Sequence, residues 1–207
     1  MASDDKKSKK SIEFFDCWAQ SYDSFVFRGF LYWAQHKVAQ ELGFMHQENL
    51  LDVGCGTGRL IETVLNNTLV ASVYGVDVSR EMLRQSRDRV GKTKKVTLLK
   101  VAVEELTEFL PKEHFHNVAC NTAFHHFCDP LVALIEMRKV LKPGGKLIIS
   151  DMDFPPLLFM NILWKLEPGF VKMYNKDEWK EMLEAAGLKF VSHDRIGFLW
   201  AKIVAEK

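Results

Sequence analysis

The sequence predicts an α/β fold, a doubly wound and mostly parallel sheet with helices on both faces. Three observations carry this. Leu50-Leu51-Asp52-Val53-Gly54-Cys55-Gly56-Thr57-Gly58 is an apolar run ending in three alternating glycines, and Arg59 to Leu65 behind it has helical apolar spacing. Strand and helix signals then alternate from residue 49 to about 150, the pattern of a sheet covered on both sides. An acidic residue, Asp77, closes the second strand about twenty residues beyond the glycines, where nucleotide-binding folds hold a ribose.

The elements follow in order. Val73 to Val76 reads as strand two, ending at Asp77, and Ser79 caps a helix with Glu81 in its first turn near the positive dipole end. Val96 to Leu99 is a third strand and Asn117 to Asn121 a fourth. Asp129-Pro130 is an N-cap followed by proline at the first helical position, opening a helix to Leu141. Lys142-Pro143-Gly144-Gly145 then turns the chain into the strand Lys146 to Ser150. Residues 154–174 hold three prolines and many large apolar side chains without clean periodicity. Asn175 with Glu178 reads as a capped helix start and Gly187 as its end. Leu188 to Ser192 and Phe198 to Ala205 form a closing antiparallel hairpin, which brings the strands to seven.

At 207 residues the chain fits one domain with a full core. A net charge of +1 provides no global field to recruit nucleic acid or an anionic membrane. The charged head Asp4 to Lys10 lies in a tail, residues 1–12, expected to be disordered, with the domain spanning 13–207. That amino end lacks the apolar core of a signal peptide. Cys17, Cys55, Cys120 and Cys128 show no metal-ligand spacing, so no metal is expected. Thiols in a glycine loop and an apolar strand suggest a reducing, cytoplasmic compartment. The longest apolar stretch, Phe154 to Leu166, is too short to span a bilayer.

The glycine loop implies a nucleotide-like cofactor, because glycines allow close backbone approach and the helix start offers unpaired N–H groups. A dinucleotide fingerprint needs a third glycine at residue 59 or 61, where Arg59 and Ile61 stand. The spacing is D-x-G-x-G-x-G instead, and with the segments after it the chain resembles the seven-strand, Rossmann-like (class I) S-adenosylmethionine-dependent methyltransferases. Phe14-Phe15-Asp16-Cys17-Trp18-Ala19-Gln20-Ser21-Tyr22-Asp23 is similar to the F-D-x-W-A-x-x-Y-D segment of the ubiquinone/menaquinone-biosynthesis branch. The resemblance implies strand order 3-2-1-4-5-7-6 with strand 7 antiparallel, N-terminal helices, and a small lid after strand 5 at about 154–174.

The resemblance also implies a cofactor site. Gly54, Cys55 and Gly56 lie in the loop that cradles the methionine portion, Asp77 takes the ribose hydroxyls, and Val78 packs on the adenine. Asp52 either orients the ammonium or fixes the loop by bonding its backbone N–H groups. The family's acidic residue after strand three is Ala102 here, which leaves the backbone of Val103 and the carboxyl of Glu104 for the adenine. Asn121 contacts the amino-acid end or the loop backbone. Tyr22 bonds the cofactor's carboxylate, unless its segment is simply a core helix with aromatic anchors. His125 and His126 recur in small-molecule members; one is a general base, or both are structural. Asn121-Thr122-Ala123-Phe124 is not the Asn/Asp-Pro-Pro-aromatic loop of enzymes acting on base nitrogens.

The apolar segment Phe154 to Trp164 reads as a pocket wall or closing flap, or else as core or a homodimer contact. The expected function is methyl transfer to an O, C or N atom of a small apolar or aromatic acceptor. A non-catalytic binder of S-adenosylmethionine or S-adenosylhomocysteine, acting as an interaction protein, is the alternative.

Overall fold

The computed structural model describes residues 28–43, 46–153, 170–196 and 200–207, the backbone alone for 28–34. Seven strands form one sheet in the order β3-β2-β1-β4-β5-β7-β6. They are β1 (Asn49–Val53), β2 (Ser72–Asp77), β3 (Val96–Lys100), β4 (Phe115–Asn121), β5 (Leu141–Met152), β6 (Lys189–Ile196) and β7 (Trp200–Glu206). β1 to β5 pair in parallel, while β7 runs antiparallel to both β5 and β6. The expected architecture, strand order and reversed strand are all present.

Alternation along each strand sorts the core into two layers. Leu50, Val73, Ala119 and Ile148 face α1 (Arg28–Leu42), α2 (Arg59–Asn67) and α3 (Arg80–Val90), meeting Val38, Leu60, Ile61, Val64 and Leu83. Leu51, Val53, Val118, Cys120, Leu147 and Ile149 face the other way. There they meet α4 (Leu106–Phe109), α5 (Pro130–Val140) and α6 (Lys176–Ala185) through Leu106, Leu134, Met137, Trp179 and Leu183. Each fully buried leucine, isoleucine or valine contributes about 1.5–3 kcal/mol of transfer free energy. Together these side chains clamp the sheet and fix which strand ends reach the site.

The helix starts follow local chemistry. Ser79 accepts from the Met82 N–H at 3.1 Å, and Asp129 accepts from the Val132 N–H at 3.0 Å with Pro130 behind it. Asn175 and Glu178 form the reciprocal capping box that their spacing predicts. No side chain caps α2, whose N-cap is Gly58. The run expected to be a turn at 142–145 is instead part of β5. Leu141 pairs with Phe115, and the ladder resumes at Asn117–Lys146 after a shift in register. The glycines and proline there bend a strand without ending it. β6 also extends four residues beyond Ser192, because β7 offers a continuous antiparallel partner.

The expected tail (1–12), the amino-terminal segment with Tyr22, and most of the expected lid (154–169) lie outside the described residues.

Candidate functional site: a cleft at the carboxyl ends of β1, β2 and β4

Parallel strands on either side of β1 carry their connections to opposite faces, which opens a crevice at the strands' carboxyl ends. A cavity lies in that crevice. Its wall includes Asp52, Gly54, Cys55, Gly56, Asp77, Val78, Val103, Glu104, Asn121 and His126. These are all the site residues expected from sequence except His125 and Tyr22. Gln35, Arg59, Met82 and Cys128 also line it and were not anticipated, and Ala102, Thr122 and Phe127 join them from segments that the resemblance places at the cofactor.

The glycine loop is held by β2. The N–H groups of Gly54 and Cys55 donate to the Val76 carbonyl at 2.9 and 3.0 Å. Asp77 accepts from the Gly56 N–H at 2.9 Å through Oδ2 and from the Ser79 N–H at 2.9 Å through Oδ1. Asp77 therefore ties the loop to the start of α3 and holds its carboxylate at the cavity wall.

Asp52 is different. It is 1% exposed, and neither carboxylate oxygen has a hydrogen-bond partner. Burial, and secondly the Asp77 charge, push its pKa from 3.8 up to about 8. Of its two sequence-based roles, bonding the loop's N–H groups is performed here by Asp77 and Val76. Asn121 Oδ1 is likewise buried without a partner. Asp52 alternates with Leu50, and Asn121 with Ala119, so both point to the α1 face; in register, Asp52 pairs with Ala119. The Cys55 side chain packs in the core on that face, where burial raises the thiol well above its usual pKa.

At the other end of the cleft, Val78, Met82, Val101, Ala102 and Val103 give an apolar wall. Glu104 stands beside them, its carboxyl raised by burial. Ala102, at the family's acidic position, also reaches the cavity.

The loop after β4 brings the two histidines into contact but assigns them different places. Their rings lie 3.9 Å apart at 47°. His126 lines the cavity, whereas His125 is 4% exposed and stands 2.6 Å through Nδ1 from Asp151 Oδ1. The His125 N–H donates to Asp151 Oδ2 at 3.0 Å, and the His125 carbonyl accepts from the Val171 N–H at 2.8 Å. His125 thus joins the end of β5 to the chain returning at residue 171. Thr122 sits at φ 55, a left-handed geometry rare for a β-branched residue, held by its N–H bond to Ser150 and by Trp200 Nε1 donating to Oγ1.

Asp151 escaped sequence reading, although an acid directly following the apolar run Leu147 to Ile149 and Ser150 was a usable signal. Gln35 offered a subtler one. It lies at helical spacing with Val38 and Leu42, a polar residue on an apolar stripe.

Among the described residues, no cluster of His, Cys, Asp or Glu is arranged to hold a metal, and no helix is long and apolar enough to cross a membrane.

A glycine-loop cleft beside β1, an acid ending β2 and a reversed seventh strand define the class I methyltransferase architecture. The family model for the methyltransferase domain matches residues 51–149. A demethylmenaquinone methyltransferase of Symbiobacterium thermophilum is 31% identical over 175 residues, covering 79% of this chain and 68% of that protein. The chain belongs to the class I S-adenosylmethionine-dependent methyltransferase family. A ubiquinone biosynthesis O-methyltransferase of Alkalilimnicola ehrlichii is 32% identical over 124 residues, 59% of this chain and 49% of the relative. The chain spans about half the length of several of the curated relatives it matches. In structure it superposes on a methyltransferase solved in complex with the Haloferax volcanii Trm112 methyltransferase activator. That match has a TM-score of 0.82 at 17% identity, covering 93% of this chain and 96% of the other. An S-adenosylmethionine-dependent methyltransferase of Aquifex aeolicus gives 0.73 at 23% identity, covering 92% and 97%.

Proposed function

We propose that the chain transfers a methyl group from S-adenosylmethionine to an O, C or N atom of a small, apolar or aromatic organic acceptor, in the cytoplasm. The observation that carries the donor is Asp52. A carboxyl group buried in the cavity wall without a partner is a costly arrangement, and a cationic ligand group relieves it. The cofactor's ammonium supplies such a group.

The other residues divide the remaining work. Asp77, anchored by two backbone N–H groups, presents its carboxylate at the cavity wall to the ribose hydroxyls. Val78, Met82 and Val103 provide apolar contact for the adenine, and Glu104 an acceptor for its amino group. When bound, the cofactor supplies an activated methyl on a sulfonium, so the protein's task is alignment and exclusion of water. His126 is the histidine available to meet an acceptor on the cavity side. The names of the demethylmenaquinone and ubiquinone-pathway relatives agree with a small organic acceptor.

Isothermal calorimetry with S-adenosylhomocysteine tests the donor. Micromolar or tighter binding is expected, and Asp77→Ala should weaken it by about 1.5–3 kcal/mol, the value of hydrogen bonds to a charged group. Absence of binding at millimolar ligand removes the reading. Binding without turnover across a panel of phenolic, quinol and amine acceptors would instead favour a non-catalytic cofactor binder.

A further inference from the structure

We infer that Gln35, on α1, completes the subsite for the cofactor's ammonium group together with Asp52 and Asn121. The inference rests on the reading above that S-adenosylmethionine occupies this cavity. α1 packs across α2, β4, β5 and β7 and so roofs the face to which Asp52 and Asn121 point. Gln35 hangs from that roof. It is 9% exposed, it lines the same cavity, and its Oε1 is buried with no hydrogen-bond partner.

The cavity therefore presents four buried oxygens without donors: Oδ1 and Oδ2 of Asp52, Oδ1 of Asn121 and Oε1 of Gln35. All four accept hydrogen bonds, and one pair belongs to an acid. Such a set selects a ligand group that is positively charged and rich in N–H donors, and it disfavours a carboxylate or phosphate. S-adenosylmethionine has two positive centres, but its sulfonium carries no N–H. Its primary ammonium carries three, enough for one donor to each of the three residues. Val38 and Leu42 on the same stripe are buried apolar residues, so an apolar side chain at 35 would suit the fold better than an amide with an unpaired oxygen. A ligand contact explains why a glutamine stands there.

The test compares two ligands on the full chain. S-adenosylhomocysteine and its desamino analogue differ only in whether the ammonium is present. Gln35→Met keeps the length, the apolar stripe and the helix propensity. Calorimetry should show the variant binding S-adenosylhomocysteine about tenfold or more weakly, the scale of one hydrogen bond to a charged group, with the desamino analogue's Kd unchanged. Gln35→Leu should repeat the pattern, and both variants should melt without ligand no lower than the parent. Equal weakening of the two ligands, or unchanged affinity for S-adenosylhomocysteine, overturns the assignment while leaving the cofactor reading intact. Failure of the unaltered chain to bind either ligand overturns both.

Discussion

Asp52 stands at the end of β1, where the fold offers its carboxylate no donor. In the ligand-free protein burial and the neighbouring Asp77 charge raise its pKa from 3.8 to about 8. Between those values the folded state holds a proton that the unfolded chain releases. Stability from this group is therefore complete below about pH 4 and is lost as pH rises towards 8. Asp52→Asn removes the titration while keeping the shape. We expect the ligand-free variant to exceed the parent's stability by on the order of 2–4 kcal/mol at pH 7–8, with the gap closing towards pH 4. Urea midpoints measured across that range check it, and parallel profiles for the two proteins would exclude a strongly raised Asp52. The residue was legible as an acid closing an apolar run beside the glycines. Its isolation was not, because whether Asp52 or Asp77 receives the loop's N–H groups depends on how β2 sits beside β1, a non-local fact. Gln35 was less legible still. A glutamine in a helix ordinarily faces water, and only the packing of α1 across the sheet turns it inward.

Among the elements, the glycine loop and the loop after β4 behave as one unit. Gly54 has φ 69, and a Cβ there would lie 2.5 Å from the Ala123 Cβ. Gly56 has φ 51, and a Cβ there would meet nothing within 4 Å. The D-x-G-x-G-x-G spacing shows that glycines are needed, yet it does not distinguish these two positions, since the difference lies in what stands opposite. Gly54→Ala must displace Ala123 and with it the strained Thr122 and the histidine pair. Adding the left-handed penalty of about 1–2 kcal/mol to an overpacking cost of about 1–3 kcal/mol predicts a loss of about 2–5 kcal/mol. Gly56→Ala incurs only the backbone penalty, about 1–2 kcal/mol, while its methyl enters space at the cavity wall. Denaturation and S-adenosylhomocysteine calorimetry should therefore rank the variants oppositely, Gly54→Ala hurting stability more and Gly56→Ala losing more affinity than stability. The same ranking in both measurements would mean that the two glycines serve one purpose. The helix starts at Ser79, Asp129 and Asn175 were readable because capping is local. The extension of β5 through 141–145 was not, because the pairing of Leu141 with Phe115 is set by the neighbouring strand.

For the whole molecule, the sheet order follows from the family resemblance, whereas periodicity alone determines only the alternation of strands and helices. That order sets β1 between β2 and β4, so Asp77, Asp52 and Asn121 arrive at one crevice from three strands. Binding there couples to the protonation of Asp52. With a pKa of about 8, Asp52 is mostly protonated at pH 7 in the free protein, whereas an ammonium beside it favours the carboxylate. Binding at pH 7 should then expel close to one proton per ligand. Calorimetric enthalpies for S-adenosylhomocysteine should vary linearly with the ionisation enthalpy of the buffer, phosphate against Tris, with a slope near one proton at pH 7 and near zero at pH 9. Affinity should climb by up to about tenfold per pH unit from 6 towards 8 and level off above. In Asp52→Asn the buffer dependence should vanish together with the pH dependence of affinity. A buffer-independent enthalpy at pH 7 in the unaltered chain would show that the ligand's positive group lies elsewhere, and would separate the ammonium subsite from Asp52.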